Sequence, residues 1–113
     1  MDARLPTHVE VTGLIRAVEA QGGFATVIRK GEREAGAFLV VITERGANAR
    51  VYERVPSLDG ERKWLLAKTQ MTEDNSEFQD YLNRRLQRDP DLWAVELDIA
   101  NGERFIGLPP IAG

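Results

Sequence analysis

Cysteine is absent from the chain. Disulfides, thiolate nucleophiles and every thiolate metal site go with it, and the absence fits a reducing cytosol. Histidine occurs once, as His8, so a histidine-rich metal site and a Ser-His-Asp arrangement have no basis; His8 reads as a surface residue. Long apolar runs are missing as well. The longest, AFLVVI, has six residues, far short of the ~20 needed to cross a bilayer. MDARLPTHVEV carries no apolar stretch of the secretory kind. There is no basic surplus either: the formal net charge is −3, which weighs against dedicated nucleic-acid binding. Neither a phosphate-cradling G-x-x-x-x-G-K-[ST] nor a G-x-G-x-x-G occurs. The expectation is a cytoplasmic protein with no membrane segment and no cofactor.

What is present suits one domain spanning residues 1–113, with 1–6 and 107–113 as extended or frayed tails. A chain of 113 residues, 42% apolar and 29% charged, is near the common size for a single core. It buries roughly 65% of its unfolded surface without covalent staples.

Periodicity orders the elements. Val11, Leu14, Ile15 and Val18 recur at helical spacing after a Thr7/Glu10 capping box, and Gly22-Gly23 supplies a stop. Gly13 inside that helix suggests close backbone packing. Strands are expected over 24–30 and over 37–43, where AFLVVIT is apolar almost throughout and hence central and buried on both faces. In 49–55, Arg50, Tyr52 and Arg54 share one face and Val51 and Val55 the other. After a turn at 56–60, a fourth strand over 61–70 centres on Trp64, Leu65 and Leu66. Short connections predict an antiparallel meander. A second helix opens on a Ser76/Gln79 capping box and carries the stripe Phe78, Tyr81, Leu82 and Leu86; Pro90 closes it.

The stretch RDPDLWAVELDIANGERFI raises the sharpest chemical question. Trp93, Val95, Leu97 and Ile99 alternate with Ala94, Glu96, Asp98 and Ala100, and Asn101-Gly102 reads as a hairpin turn. Glu96 and Asp98 share a face and can bracket a divalent ion, but a hard cation wants six or more oxygens. The register that sets Phe105 opposite Leu97 sets Arg104 opposite Asp98, neutralising it, and sends Glu103 to the other face. These acids therefore read as the wet side of a hairpin.

Three further groups carry weaker chemistry. Glu61-x-Lys63, with Glu53 on the preceding strand, has the acidic-plus-E-x-K pattern of Mg²⁺-dependent nucleases, a pattern common by chance in a charged chain. Arg50, Tyr52 and Arg54 put two cations around an aromatic, as on a sheet that stacks single-stranded bases. Arg84, Arg85 and Arg88 can grip an anion or complement the negative end of their helix. Trp64 and Trp93 read as core or interface anchors.

Three segments together carry a family likeness: Val18-Glu19-Ala20-Gln21-Gly22, Asp59-Gly60-Glu61-Arg62 with Trp64, and Asp89-Pro90-Asp91-Leu92-Trp93. In these the chain resembles the bacterial domain-of-unknown-function family DUF1491 over nearly its whole length. The resemblance implies a small bacterial single-domain protein and no activity.

The fold expected is therefore α+β: a helix, a four-stranded antiparallel meander, a second helix and a C-terminal β-hairpin, forming one sheet with both helices on one face. Because that arrangement leaves a face or a sheet edge to be buried, the leading functional expectation is a non-catalytic interaction module. It would be a homodimer or a binder of another protein, with Arg50, Tyr52, Arg54, Arg84, Arg85 and Arg88 as the candidate surface. The first alternative is an Mg²⁺-dependent phosphodiester enzyme using Glu53, Glu61 and Lys63. The second is a weak nucleic-acid binder using Arg50, Tyr52 and Arg54.

Overall fold

The computed structural model describes residues 5–34, 36–56 and 62–109. Helix α1 (Thr7–Ala20) leads into β1 (Phe24–Arg29), β2 (Phe38–Glu44), β3 (Ala47–Pro56) and β4 (Arg62–Thr69). Helix α2 (Ser76–Arg88), β5 (Trp93–Asp98) and a 3-10 turn (Gly102–Ile106) follow. The result is a single α+β domain around one five-stranded sheet.

The strand order is β1-β5-β2-β3-β4. β2, β3 and β4 form the expected antiparallel meander, but β1 does not join it. β5 lies between β1 and β2, antiparallel to the first and parallel to the second, so the sheet is mixed. That placement also removes the expected C-terminal hairpin. A hairpin partner needs a free edge on β5, and both edges are taken. Asn101 instead turns left-handed at φ 54° and starts the 3-10 turn. Phe105, Ile106 and Leu108 then fold back onto the sheet. Gly102 is needed there: a Cβ would stand 2.6 Å from Cγ2 of Ile42.

The helices take opposite faces, not one. Val11 and Val18 of α1 pack with Phe38, Val40, Ile42, Val95 and Leu97. Phe78 and Leu82 of α2 pack with Leu39, Val41, Val51 and Ala94. β2 thus has apolar cover on both sides, as its sequence demands, with six consecutive buried residues. Each such side chain contributes about 1.5–3 kcal/mol by leaving water. The sheet face expected to stand open is packed by α2, while the edge strands β1 and β4 keep Phe24, Leu65 and Leu66 exposed.

Neither capping box forms. The Thr7 hydroxyl donates to the Gly36 carbonyl at 3.0 Å, and the first amides of α1 donate to the carbonyls of Glu34 and Arg33. Tertiary acceptors replace the side-chain cap there. At α2 the Asp74 carboxylate, not Ser76, accepts from the helix-start amide of Ser76, holding Asp74 below the usual carboxylate range. A Cβ at Gly13 would meet nothing within 4 Å, so close packing does not explain that glycine. The turn at 57–60 and the tail residues 110–113 lie outside the described residues, as do residues 1–4, Ala35 and Glu61.

Candidate functional site

The Arg50, Tyr52 and Arg54 side chains share a face of β3, but it is not an open one. Arg50 is 3% exposed and Tyr52 5%. Both meet Glu103, which the 3-10 turn brings onto that face of the sheet. The Arg50 guanidinium donates through Nε and Nη2 to the two Glu103 oxygens at 2.6 and 2.7 Å, and the Tyr52 hydroxyl donates at 2.8 Å. Burial pushes the Glu103 carboxyl up, yet the donated hydrogen bonds of Arg50 and Tyr52 win and hold it below the usual range. The hydrogen bond to Glu103 raises Arg50. Burial, with the Glu103 hydrogen bond added, pushes the Tyr52 phenol up to about 12. This triad locks the C-terminal segment to the sheet. With both side chains buried, Arg50 and Tyr52 offer no open base-stacking surface.

Arg54 is spent on the same side. Its guanidinium lies 5.5 Å from the ring centroids of both Phe38 and Trp64, and it pairs with Glu10 of α1, which also accepts from Arg62 at 3.1 Å. Two cations on one carboxylate tie α1 to the β3–β4 ribbon.

Glu53, on the α2 side, accepts from Arg85 Nε at 2.9 Å and Nη2 at 2.8 Å, and from the Tyr81 hydroxyl at 3.4 Å. Glu53 raises Arg85, chiefly through the hydrogen bond, while burial and then the Glu53 charge raise the Tyr81 phenol. A carboxylate so engaged is not offered to Mg²⁺. Glu61, its intended companion, lies outside the described residues. Among the described residues no group of three or more His, Asp or Glu is placed to hold a metal ion.

The three arginines of α2 do come together. Tyr81, Arg84, Arg85 and Arg88 fall at i, i+3, i+4 and i+7, and with Glu53 they line a cleft of about 420 Å³. Arg85 is committed to Glu53 and approaches Asp89 at 3.9 Å. Arg84 and Arg88 are exposed, and among the described residues neither makes an ion pair.

The acids of β5 are kept apart by separate tasks. Asp98 accepts from the backbone amides of Arg45 and Gly46 at 2.7 and 3.1 Å, capping the β2–β3 turn. Glu96 meets the Thr43 hydroxyl at 3.5 Å. Glu103 is buried elsewhere, and Arg104 stacks on Phe105 and donates to the Ala100 carbonyl in place of facing Asp98. His8, at the start of α1, sits against Arg33.

Two residues that organise the molecule escape the periodicity. Hairpin pairing sends Glu103 to the face it does occupy, that of Val95 and Leu97, but gives it neither Arg50 nor Tyr52 as a partner, and no pattern marks Arg29. The Arg29 guanidinium ends β1 by donating to the carbonyls of Leu86, Asp89 and Leu92, which closes the C-terminus of α2. A cation at the end of an apolar strand is the sole available signal.

A mixed five-stranded sheet with one helix on each face makes this a small α+β protein. The family described as "Protein of unknown function (DUF1491)" matches residues 5–107, and the chain belongs to it. The crystal structure of a DUF1491 protein from Caulobacter crescentus CB15 is 36% identical, with a TM-score of 0.80 over 94% of this chain and 98% of that one. An NMR structure of a DUF1491 protein from the same organism gives 37% and 0.78, covering 96% and 97%. Protein Atu0922 of A. tumefaciens gives 32% and 0.66, covering 85% and 86%. No curated protein matches the chain. Among the described residues no helix is long and apolar enough to cross a membrane.

Proposed function

We propose that the protein is a cytoplasmic, non-catalytic interaction module that meets an acidic patch on another protein through the C-terminal stripe of α2. The carrying observation is the pair Arg84 and Arg88. They lie four residues apart on one helix face, where like charges oppose helix formation by a few tenths of a kcal/mol. Among the described residues no carboxylate forms an ion pair with either. At the helix end the carbonyls of Leu86 and Asp89 are already served by Arg29. Arg85, pinned by Glu53, and the half-buried Tyr81 give the stripe a rigid floor. Guanidinium forks on a fixed surface suit carboxylates of a folded partner, while the net charge of −3 opposes a nucleic-acid target.

The test is crosslinking in native cells with the wild type and with Arg84→Glu/Arg88→Glu, followed by titration of the purified partner. Support is a partner bound at least ~10-fold more weakly by the variant, about 1.4 kcal/mol. Light scattering separates a second copy from a different protein. Equal binding by both forms, or loss of retention on DNA as the sole difference, overturns the reading.

A further inference from the structure

A second concavity lies on the other face of the molecule, where the first half of α1 faces the end of β1 and the loop after it. Its volume is about 350 Å³. Val11 and Ile15 from α1, Val27 from β1 and Trp93 from β5 make an apolar floor. Trp93 is buried, and its indole N–H donates to the Glu32 carbonyl at 2.7 Å, so the ring's polar edge is already satisfied. What the indole adds to the groove is apolar surface.

The rim has one sign of charge. Lys30 and Arg33, both exposed, line it together with His8, and no acidic side chain does. Among the described residues neither Lys30 nor Arg33 makes an ion pair. Arg33 is nonetheless held in place. Its carbonyl lies 3.1 Å from His8 Nδ1, and its Nη2 lies 3.3 Å from His8 Nε2. A neutral ring protonated on Nδ1 satisfies both: it donates to the carbonyl and accepts from the guanidinium. One nitrogen of the guanidinium fork is used in this way, and the remaining N–H groups are left for an anion. The loop itself is fixed by its crossing of the 91–93 backbone. At Gly31 a Cβ would fall 2.2 Å from the Asp91 carbonyl, and the Glu32 amide donates to that same carbonyl at 3.0 Å.

We infer that this groove binds a small amphipathic carboxylate, with an aliphatic or aryl body laid on Val11, Ile15, Val27 and Trp93 and the carboxylate held between Lys30 and Arg33. The pairing of a concave apolar floor with a few convergent polar groups is the usual build of a small-molecule site. Charge complementarity selects the ligand. Two cations without carboxylate partners favour an anion, and a planar guanidinium fork matches a carboxylate. The groove is independent of the α2 stripe, which lies on the opposite face of the sheet.

Sodium octanoate serves as the probe, titrated into the isotopically labelled full chain and followed by NMR. Octan-1-ol, equal in length and uncharged, is the control. The expected result is saturable shifts at the Trp93 indole N–H and the Val27 and Ile15 methyls, with a Kd on the order of 1 mM or tighter for so small a ligand. Octanol should bind at least ~10-fold more weakly, as should octanoate to Lys30→Gln/Arg33→Gln, whose exposed substitutions leave the spectrum of the fold intact. A second variant, Ile15→Lys, should abolish the shifts from the floor side. Equal binding of octanol and octanoate, unchanged binding by the Lys30/Arg33 variant, or shifts confined to other surfaces would each overturn the assignment.

Discussion

Glu103 is a single side chain on which the closure of the C-terminal segment depends. It is 1% exposed, and its carboxylate holds both Arg50 and Tyr52. Glu103→Gln keeps the shape but leaves the Arg50 cation buried with the 3.5 Å contact to Glu44 as its remaining ion pair. The expected cost is about 3–5 kcal/mol, read from urea unfolding at neutral pH. The linkage has a definite sign. A carboxyl depressed by folding stabilises above its unfolded pKa, and that stability is lost as pH falls through the depressed folded value. Wild type and variant should therefore converge as pH drops below about 4. Tyr52 works at the other end of the scale. Its raised phenol favours the protonated form, so stability holds up to the unfolded value near 10 and is lost as pH rises toward about 12. In an absorbance titration of Tyr81→Phe, where Tyr52 is the remaining phenol, its ionisation should coincide with unfolding; a tyrosinate signal appearing well before unfolding would contradict the buried triad.

At the scale of elements, Arg29 joins β1, α2 and the 89–92 connection through main-chain carbonyls. Arg29→Met keeps the aliphatic stem and removes the donors. It should cost about 2–4 kcal/mol, since buried acceptors to a charged group go unpaired. Amide exchange in the last turn of α2 should rise more than in β3. Uniform exchange across the molecule would show that the guanidinium does not serve that helix end. Much of the element order can be read directly from the residues. The Trp93–Ile99 alternation marks a strand, because period two survives any choice of neighbours, and AFLVVIT marks a strand covered twice. Alternation carries no record of which strand lies alongside, so Asn101-Gly102 reads as a hairpin although β5 has no edge to spare. The same gap hides the site chemistry. Arg50 and Tyr52 are rightly placed on one face, but whether that face is covered depends on Glu103, 53 positions beyond Arg50. Arg84, Arg85 and Arg88 are legible because helical spacing alone brings them together. Lys30 and Arg33 occupy a loop with no period, and their groove exists through Trp93, more than half the chain distant.

For the molecule as a whole, the decisive fact is that β5 inserts between β1 and β2. Without it β1 has no partner strand, and α1 loses Val95 and Leu97 from beneath it. A chain ending at residue 92 should show no cooperative unfolding by circular dichroism, and a peptide of residues 93–109 added in trans should restore it. Because these pairings join residues far apart in sequence, refolding of the intact chain should fall in the millisecond-to-second range expected for non-local topologies. A truncated chain that melts cooperatively would show that the β2–β4 ribbon with α2 is self-sufficient.

During synthesis this order of events opens a window. Four strands leave the ribosome before the fifth emerges, and at about 5–20 residues per second the wait for it lasts a few seconds. Over that interval the slot between β1 and β2 is vacant, and the β5 of a neighbouring chain matches it as well as the chain's own does. Crowded translation therefore favours strand exchange between copies, and slower or chaperone-assisted synthesis favours the self-contained fold.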